Sequence, residues 1–167
     1  MADKEQIVSE KLEHEGLFSF PAVYKFAHSW LRNKNYLVNE KKYTEKVSGD
    51  KKDIKIEWEV SRKMSDYFKN DINIKFEITG MSEVEVEIDG KTKKMNQGKM
   101  LIEFKGSLIK DPNNEWNATP FYRFLRDTYN KYIIPKRVDD MEGKLFSDVT
   151  DLKDEIKALI EIAGIRK

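Results

Sequence analysis

The chain has 167 residues, enough to bury a core as one domain without disulfides or metals, and its 37% charged content nearly cancels at a formal +1, which argues against a dedicated polyanion binder. The absence of cysteine excludes disulfides, thiolate metal sites and thiol catalysis. The stretch Met1 to Gln6 is charged and leads into no apolar signal core, and no run approaches the ~18 apolar residues of a membrane span, so the expected location is the cytoplasm.

Residues 6–15 alternate Val8, Glu10, Leu12 and His14 and read as a strand, although Ile7, Val8 and Leu12 also suit an amphipathic helix. A helix follows from about Pro21 to Arg32, with Val23, Phe26, Ala27, Trp30 and Leu31 as its apolar stripe and Asn33 to Asn35 as its break. From Tyr36 the period changes to two. Residues 36–47 alternate imperfectly, as a solvated edge strand does. Ile54, Ile56, Trp58 and Val60 then alternate strictly with Lys55, Glu57 and Glu59, and Ile72, Ile74, Phe76 and Ile78 repeat the pattern. Val84, Val86 and Ile88 lead to Asp89-Gly90, a primed hairpin turn; a two-residue register would set Glu85 favourably opposite Lys94 but Val86 opposite Lys93, which leaves the register open. After Asn96-Gln97-Gly98 a last strand carries Met100, Ile102, Phe104 and Leu108 on one side.

The best marked helix spans 120–134. Thr119 suits its N-cap, Pro120 its first position, and Pro135 stops it. Phe121, Phe124, Leu125, Thr128 and Tyr132 share a face, and the expected partner of that face is the sheet. In the tail, Val138, Met141 and Leu145 predict a short helix interrupted by Gly143. A final helix carries Val149, Leu152, Ile156, Leu159 and Ala163 at heptad-like spacing.

These elements predict a single α+β domain over 1–167, with a core at 6–135 and a C-terminal helical extension at 136–167. The expected architecture is a mainly antiparallel curved sheet of five to seven strands packed on a long helix from the C-terminal half of the chain. In element order this is similar to the helix-grip arrangement of START-type domains, where a curved antiparallel sheet wraps a long C-terminal helix. The resemblance implies a carrier of a lipid or another apolar small molecule.

Catalysis has little to draw on. Of the two histidines, His28 sits beside Ala27 and near Trp30, where a structural role is expected. Glu13-His14-Glu15 cannot converge on a metal from a strand, because neighbouring side chains point to opposite faces. The row Glu83, Glu85, Glu87 reads as a solvated face with lysines opposite. No phosphate loop, nucleophile elbow or zinc motif is present, so no catalytic residue, metal or cofactor is expected. The first expectation is a non-enzymatic protein-interaction domain, with Val149, Leu152, Ile156, Leu159 and Ile160 as partner-binding or self-association residues. The second is the START-like carrier, its cavity between the sheet and helix 120–134 lined by Trp58, Phe76, Ile78, Phe104, Phe121, Tyr122 and Tyr129. The third is nucleic-acid binding through Arg123, Arg126, Lys136 and Arg137, which lie among tyrosines on a locally basic stretch.

Overall fold

The computed structural model describes residues 3–110, 119–132 and 134–165, and within these spans the side chains of 3, 88, 126, 129–132, 134–136 and 163–165 are left aside. Eight elements follow in order: β1 (Asp3–Phe18), α1 (Phe20–Asn33), β2 (Leu37–Ser48), β3 (Lys51–Lys63), β4 (Phe68–Ile88), β5 (Lys91–Lys110), α2 (Pro120–Tyr132) and α3 (Ile134–Ile165). The strands form one open, curved antiparallel sheet in the order β1-β5-β4-β3-β2. The first strand therefore pairs with the last, and α1 carries the chain from one edge of the sheet to the other. The architecture is the α+β arrangement that the alternating strands predict, and residues 6–15 lie within β1.

Register explains the core. Trp58 of β3 lies opposite Ile74 of β4, which lies opposite Phe104 of β5. The rows Ile56–Phe76–Ile102, Ile54–Ile78–Met100 and Val60–Ile72–Gly106 flank it on the same face. All of these apolar side chains are buried, each contributing about 1.5–3 kcal/mol of transfer free energy. The opposite face is charged. Lys42, Glu57, Lys75, Glu103 and Lys11 stand directly across all five strands with alternating sign.

Two helices cover the apolar face. Leu145, Val149, Leu152, Ile156 and Ile160 of α3, and Val23, Ala27 and Leu31 of α1, join the sheet residues in one buried cluster. Gly106 fixes how closely α3 approaches. A Cβ there would lie 2.7 Å from Val8 Cγ1 and 3.3 Å from both Leu145 Cγ and Val149 Cγ2, so the helix rests on the bare backbone of β5. Ser19 Oγ accepts from the Ala22 amide at 3.4 Å and Asn96 Oδ1 from the Phe20 amide at 2.8 Å, which fastens the start of α1 to β5.

Three expectations are corrected. The helix that the sheet grips is α3, not the helix that begins at Pro120: Phe121 and Phe124 are 65% and 66% exposed. The physical reason is reach. The α3 stripe extends from Leu145 to Ile160, about 22 Å at 1.5 Å per residue, and occupies the face that the shorter aromatic helix was expected to fill. Gly143 does not interrupt α3. Its missing side chain faces open space, and its cost of about 1 kcal/mol relative to alanine is small beside the buried stripe. Pro135 both follows α2 and falls in the first turn of α3.

Finally, the segments on either side of Gly80 and of Asn96-Gln97-Gly98 are continuous in β4 and β5, which gives five strands. Gly80, at φ 62°, and Met81 form a bulge between Thr79 and Ser82. Gly98 lets that bulge come close: a Cβ on it would sit 3.0 Å from Met81 Cα. The Asp89-Gly90 turn has φ values of 53° and 76°, with Glu85 opposite Lys94 and Val86 opposite Lys93, which settles as two-residue the register that the sequence left open.

Candidate functional site

The expected ligand-lining residues do not converge. Trp58, Phe76, Ile78 and Phe104 are buried beneath α1 and α3, whereas Phe121 and Tyr122 are exposed on α2, and the side chain of Tyr129 lies outside the described residues. Trp58 is held by ring contacts to Tyr24, His28 and Phe76 with centroids 4.8–5.9 Å apart, so the indole is a packing centre. The expected partner seam is likewise corrected. Val149, Leu152, Ile156 and Ile160 are buried in the core and Leu159 is packed against it, because the sheet's apolar face takes up the stripe.

Of the expected nucleic-acid residues, Arg123 and Arg137 are exposed, and the side chains of Arg126 and Lys136 lie outside the described residues. His14 Nε2 lies 2.9 Å from the Leu17 carbonyl oxygen. Among the described residues no three His, Asp or Glu side chains converge as metal ligands would. Glu83 pairs with Lys94 at 3.4 Å. No described helix is long and apolar enough to cross a membrane.

Three surfaces stand out. The first is α2. Thr119 Oγ1 accepts from the Tyr122 amide at 3.2 Å, and the Arg123 amide donates to the Thr119 carbonyl at 2.9 Å, so the cap read from the sequence forms. The helix leads directly into α3 and leaves Phe121, Tyr122 and Phe124 exposed, with Leu125 and Thr128 half-buried. Phe121 and Phe124 are three residues apart and share one side.

The second surface is the free edge at β2. Leu37, Tyr43 and Val47 are exposed there, and a bulge between Glu40 and Lys42 interrupts the pairing with β3. Glu40 accepts from the Tyr24 hydroxyl at 3.0 Å and the Trp58 indole at 3.4 Å, Lys41 pairs with Glu59 at 3.1 Å, and Lys52 pairs with Glu45 at 3.0 Å. Burial and then the Glu40 carboxylate raise the Tyr24 hydroxyl above the usual tyrosine value. Lysines and a bulge on an edge strand discourage indiscriminate strand pairing.

The third surface lies where β2, β3 and β4 meet the end of α1. A shallow concavity of about 520 Å³ is lined by Asn35, Leu37, Ser61, Arg62, Lys63 and Lys69. Beneath it the buried Tyr36 hydroxyl donates to Asp148 Oδ2 at 2.8 Å and accepts from Asn70 Nδ2 at 3.2 Å. The Arg62 guanidinium lies 6.0 Å from the Tyr36 ring centre.

Sequence reasoning missed this concavity because Lys63 and Lys69 face each other only through the β3–β4 register. The available signal was the short Met64 to Tyr67 connection, which returns the chain at once: Ser65 Oγ accepts from the Phe68 amide at 3.1 Å, and the Met64 amide donates to the Phe68 carbonyl.

Compared with known protein families and with curated proteins, the chain matches none.

Proposed function

We propose that the chain is a non-enzymatic protein-interaction module that docks a partner through the aromatic side of α2. One observation carries the reading: two phenylalanines a turn apart on a capped helix are about two-thirds exposed, the most exposed aromatic side chains among the described residues. Phe121, Phe124, Leu125 and Thr128 follow the i, i+3, i+4, i+7 spacing by which a helix seats in a partner's apolar groove. Exposed Arg123 beside them favours a groove with an acidic rim.

The test is native mass spectrometry of the protein purified from its own host, beside the double variant Phe121→Ala/Phe124→Ala and a chain carrying a photo-crosslinker at position 124 or 105. A protein partner that is lost in the double variant and cross-links from 124 but not from 105 supports the reading. A partner set unchanged by the double variant, or a lone monomer, overturns it.

The strand order favours a second reading, a START-like carrier, because an open antiparallel sheet closes over a long helix near the C-terminus. Its signature in the same spectra is a bound small-molecule mass retained by the double variant.

A further inference from the structure

The outer edge of β2 carries its own pairing pattern. Its register with β3 shifts only between Glu40 and Lys42, so the segment from Lys42 to Ser48 presents an unbroken edge with no strand beside it among the described residues. Tyr43 and Val47, 49% and 61% exposed, share the helix-covered face, because Tyr43 stands opposite the buried Ile56 and side chains alternate from there. Lys42 and Lys46 lie on the other face, opposite Glu57 and Asp53 of β3, and Glu45 is paired with Lys52 at 3.0 Å. The charges of this segment are thus faced by opposite charges within the chain, whereas its apolar groups have no cover.

A second copy fits this edge in one register. Antiparallel copies of a strand joined about a twofold axis perpendicular to the sheet must set opposite residues on the same face, so the axis passes through a residue position. An axis at Thr44 sets Lys42 opposite Lys46, and an axis at Lys46 sets that lysine opposite itself, so both oppose like charges. An axis at Tyr43 runs at once into the bulge, and one at Val47 into the turn at Gly49. An axis at Glu45 engages the whole segment. It sets Tyr43 of each copy opposite Val47 of the other, an aromatic and β-branched pair that favours strand association, and Thr44 opposite Lys46. Glu45 alone meets its own kind, and there each carboxylate brings its Lys52 ammonium, so two acids and two bases gather at the axis. The helices stay clear of one another. α1 stands over the Glu40 row, where Tyr24 donates to Glu40 and packs on Trp58, and the two Glu40 rows are about ten residues apart, or about 33 Å along the strands.

We infer that β2 is a self-association edge, at which two copies of the chain join their sheets antiparallel about a twofold axis through Glu45. One short strand pair is a small contact, so the dimer dissociates on dilution. It uses no α2 residue and stands apart from the α2 reading: the dimer is expected to persist in Phe121→Ala/Phe124→Ala.

The experiment is sedimentation velocity on the full chain from about 1 μM to about 200 μM, a range suited to a contact of this size. Wild type is expected to pass from monomer to dimer. Val47→Lys is expected to raise the dissociation constant roughly tenfold or more. Lys52→Gln, which leaves the two Glu45 carboxylates facing each other bare, is expected to weaken the dimer, and Glu45→Gln on that background to restore it. The chain has no cysteine, so a single introduced one reports the register. Under mild oxidation Glu45→Cys, on the axis, is expected to give a disulfide-linked dimer, and Lys41→Cys, on the same edge but away from the axis, is not. A chain that stays monomeric over that range overturns the inference, even if its β2 edge takes up an extended peptide from another protein. A dimer unchanged in Val47→Lys, or equal cross-linking from positions 41 and 45, overturns it too. Tyr43, Glu45 and Val47 are exposed, so these variants should fold, and the cysteine pair tests the register whatever Val47→Lys does to stability.

Discussion

The Tyr36 hydroxyl and the Asp148 carboxylate, 112 positions apart in the chain, meet at 2.8 Å in a buried site and tie the entrance of β2 to the middle of α3. Asn70 donates to the same hydroxyl at 3.2 Å, so one phenol oxygen joins a strand, a helix and the turn between α1 and β2. Replacing Tyr36 with phenylalanine removes the shared partner and leaves two buried polar groups short of a bond. The expected loss is about 1–3 kcal/mol, read from urea denaturation at neutral pH.

The same hydroxyl should impose a pH dependence. Burial pushes it well above the usual tyrosine value of 10.0. The bond from Asn70 pulls it down, and the bond to Asp148 adds to the rise. The folded state thus holds a proton that the unfolded chain releases above about pH 10. Its stabilising contribution is complete below that pH and is lost as pH climbs towards the raised folded-state value, by up to about 1.4 kcal/mol per pH unit. The difference in stability between wild type and Tyr36→Phe should therefore be flat from pH 7 to 9 and shrink above pH 10. A constant difference across that range would mean that the phenol ionises equally in both states.

The two C-terminal helices should respond oppositely to truncation. Leu152→Ala empties a fully buried position under α3 and should cost about 2–5 kcal/mol. Phe124→Ala removes an exposed ring and should change stability by no more than about 0.5 kcal/mol. Thermal melts of the two variants side by side check this, and a larger loss for Phe124→Ala would mean that α2 is held in the core.

Gly106 gives a prediction of close packing. In Gly106→Ala the new methyl would meet Val8 Cγ1 at 2.7 Å and press on Leu145 and Val149, at a cost of about 1–3 kcal/mol. Val8→Ala on that background should recover part of the loss, although Val8→Ala alone destabilises. A double-mutant cycle with coupling near zero would rule out the contact as the cause.

Lys153 and Glu10 join α3 to β1 at 3.0 Å, each side chain about a quarter exposed. A cycle of Lys153→Met and Glu10→Gln should give a coupling of about 0.5–1 kcal/mol that falls between low salt and 1 M NaCl.

What could be read in advance follows from which forces are local. The strands at 54–60 and 72–78 were legible because one buried side and one wet side impose a two-residue period on the sequence itself. The Thr119 cap and the Asp89-Gly90 turn were legible because their bonds close within four residues. The partner of an amphipathic helix was not. Periodicity says that Phe121 and Phe124 share a side, but which of two helices wins the sheet depends on how far each stripe reaches once both are present. The pairing of β1 with β5, some 90 residues apart, and the meeting of Lys63 with Lys69 across a turn are settled by register, which leaves little local trace. Asn96-Gln97-Gly98 read as a break before a last strand, yet Gly98 and Gly80 are the pair that lets one long hairpin bend without breaking.

The alternating row Lys42, Glu57, Lys75, Glu103 and Lys11 governs how the molecule meets its surroundings. Laying another slab against that side would strip water from five ions at once without offering them better company. That cost disfavours stacking on the charged face and leaves the free edge of β2 and the exposed rings of α2 as surfaces that lose less on being covered.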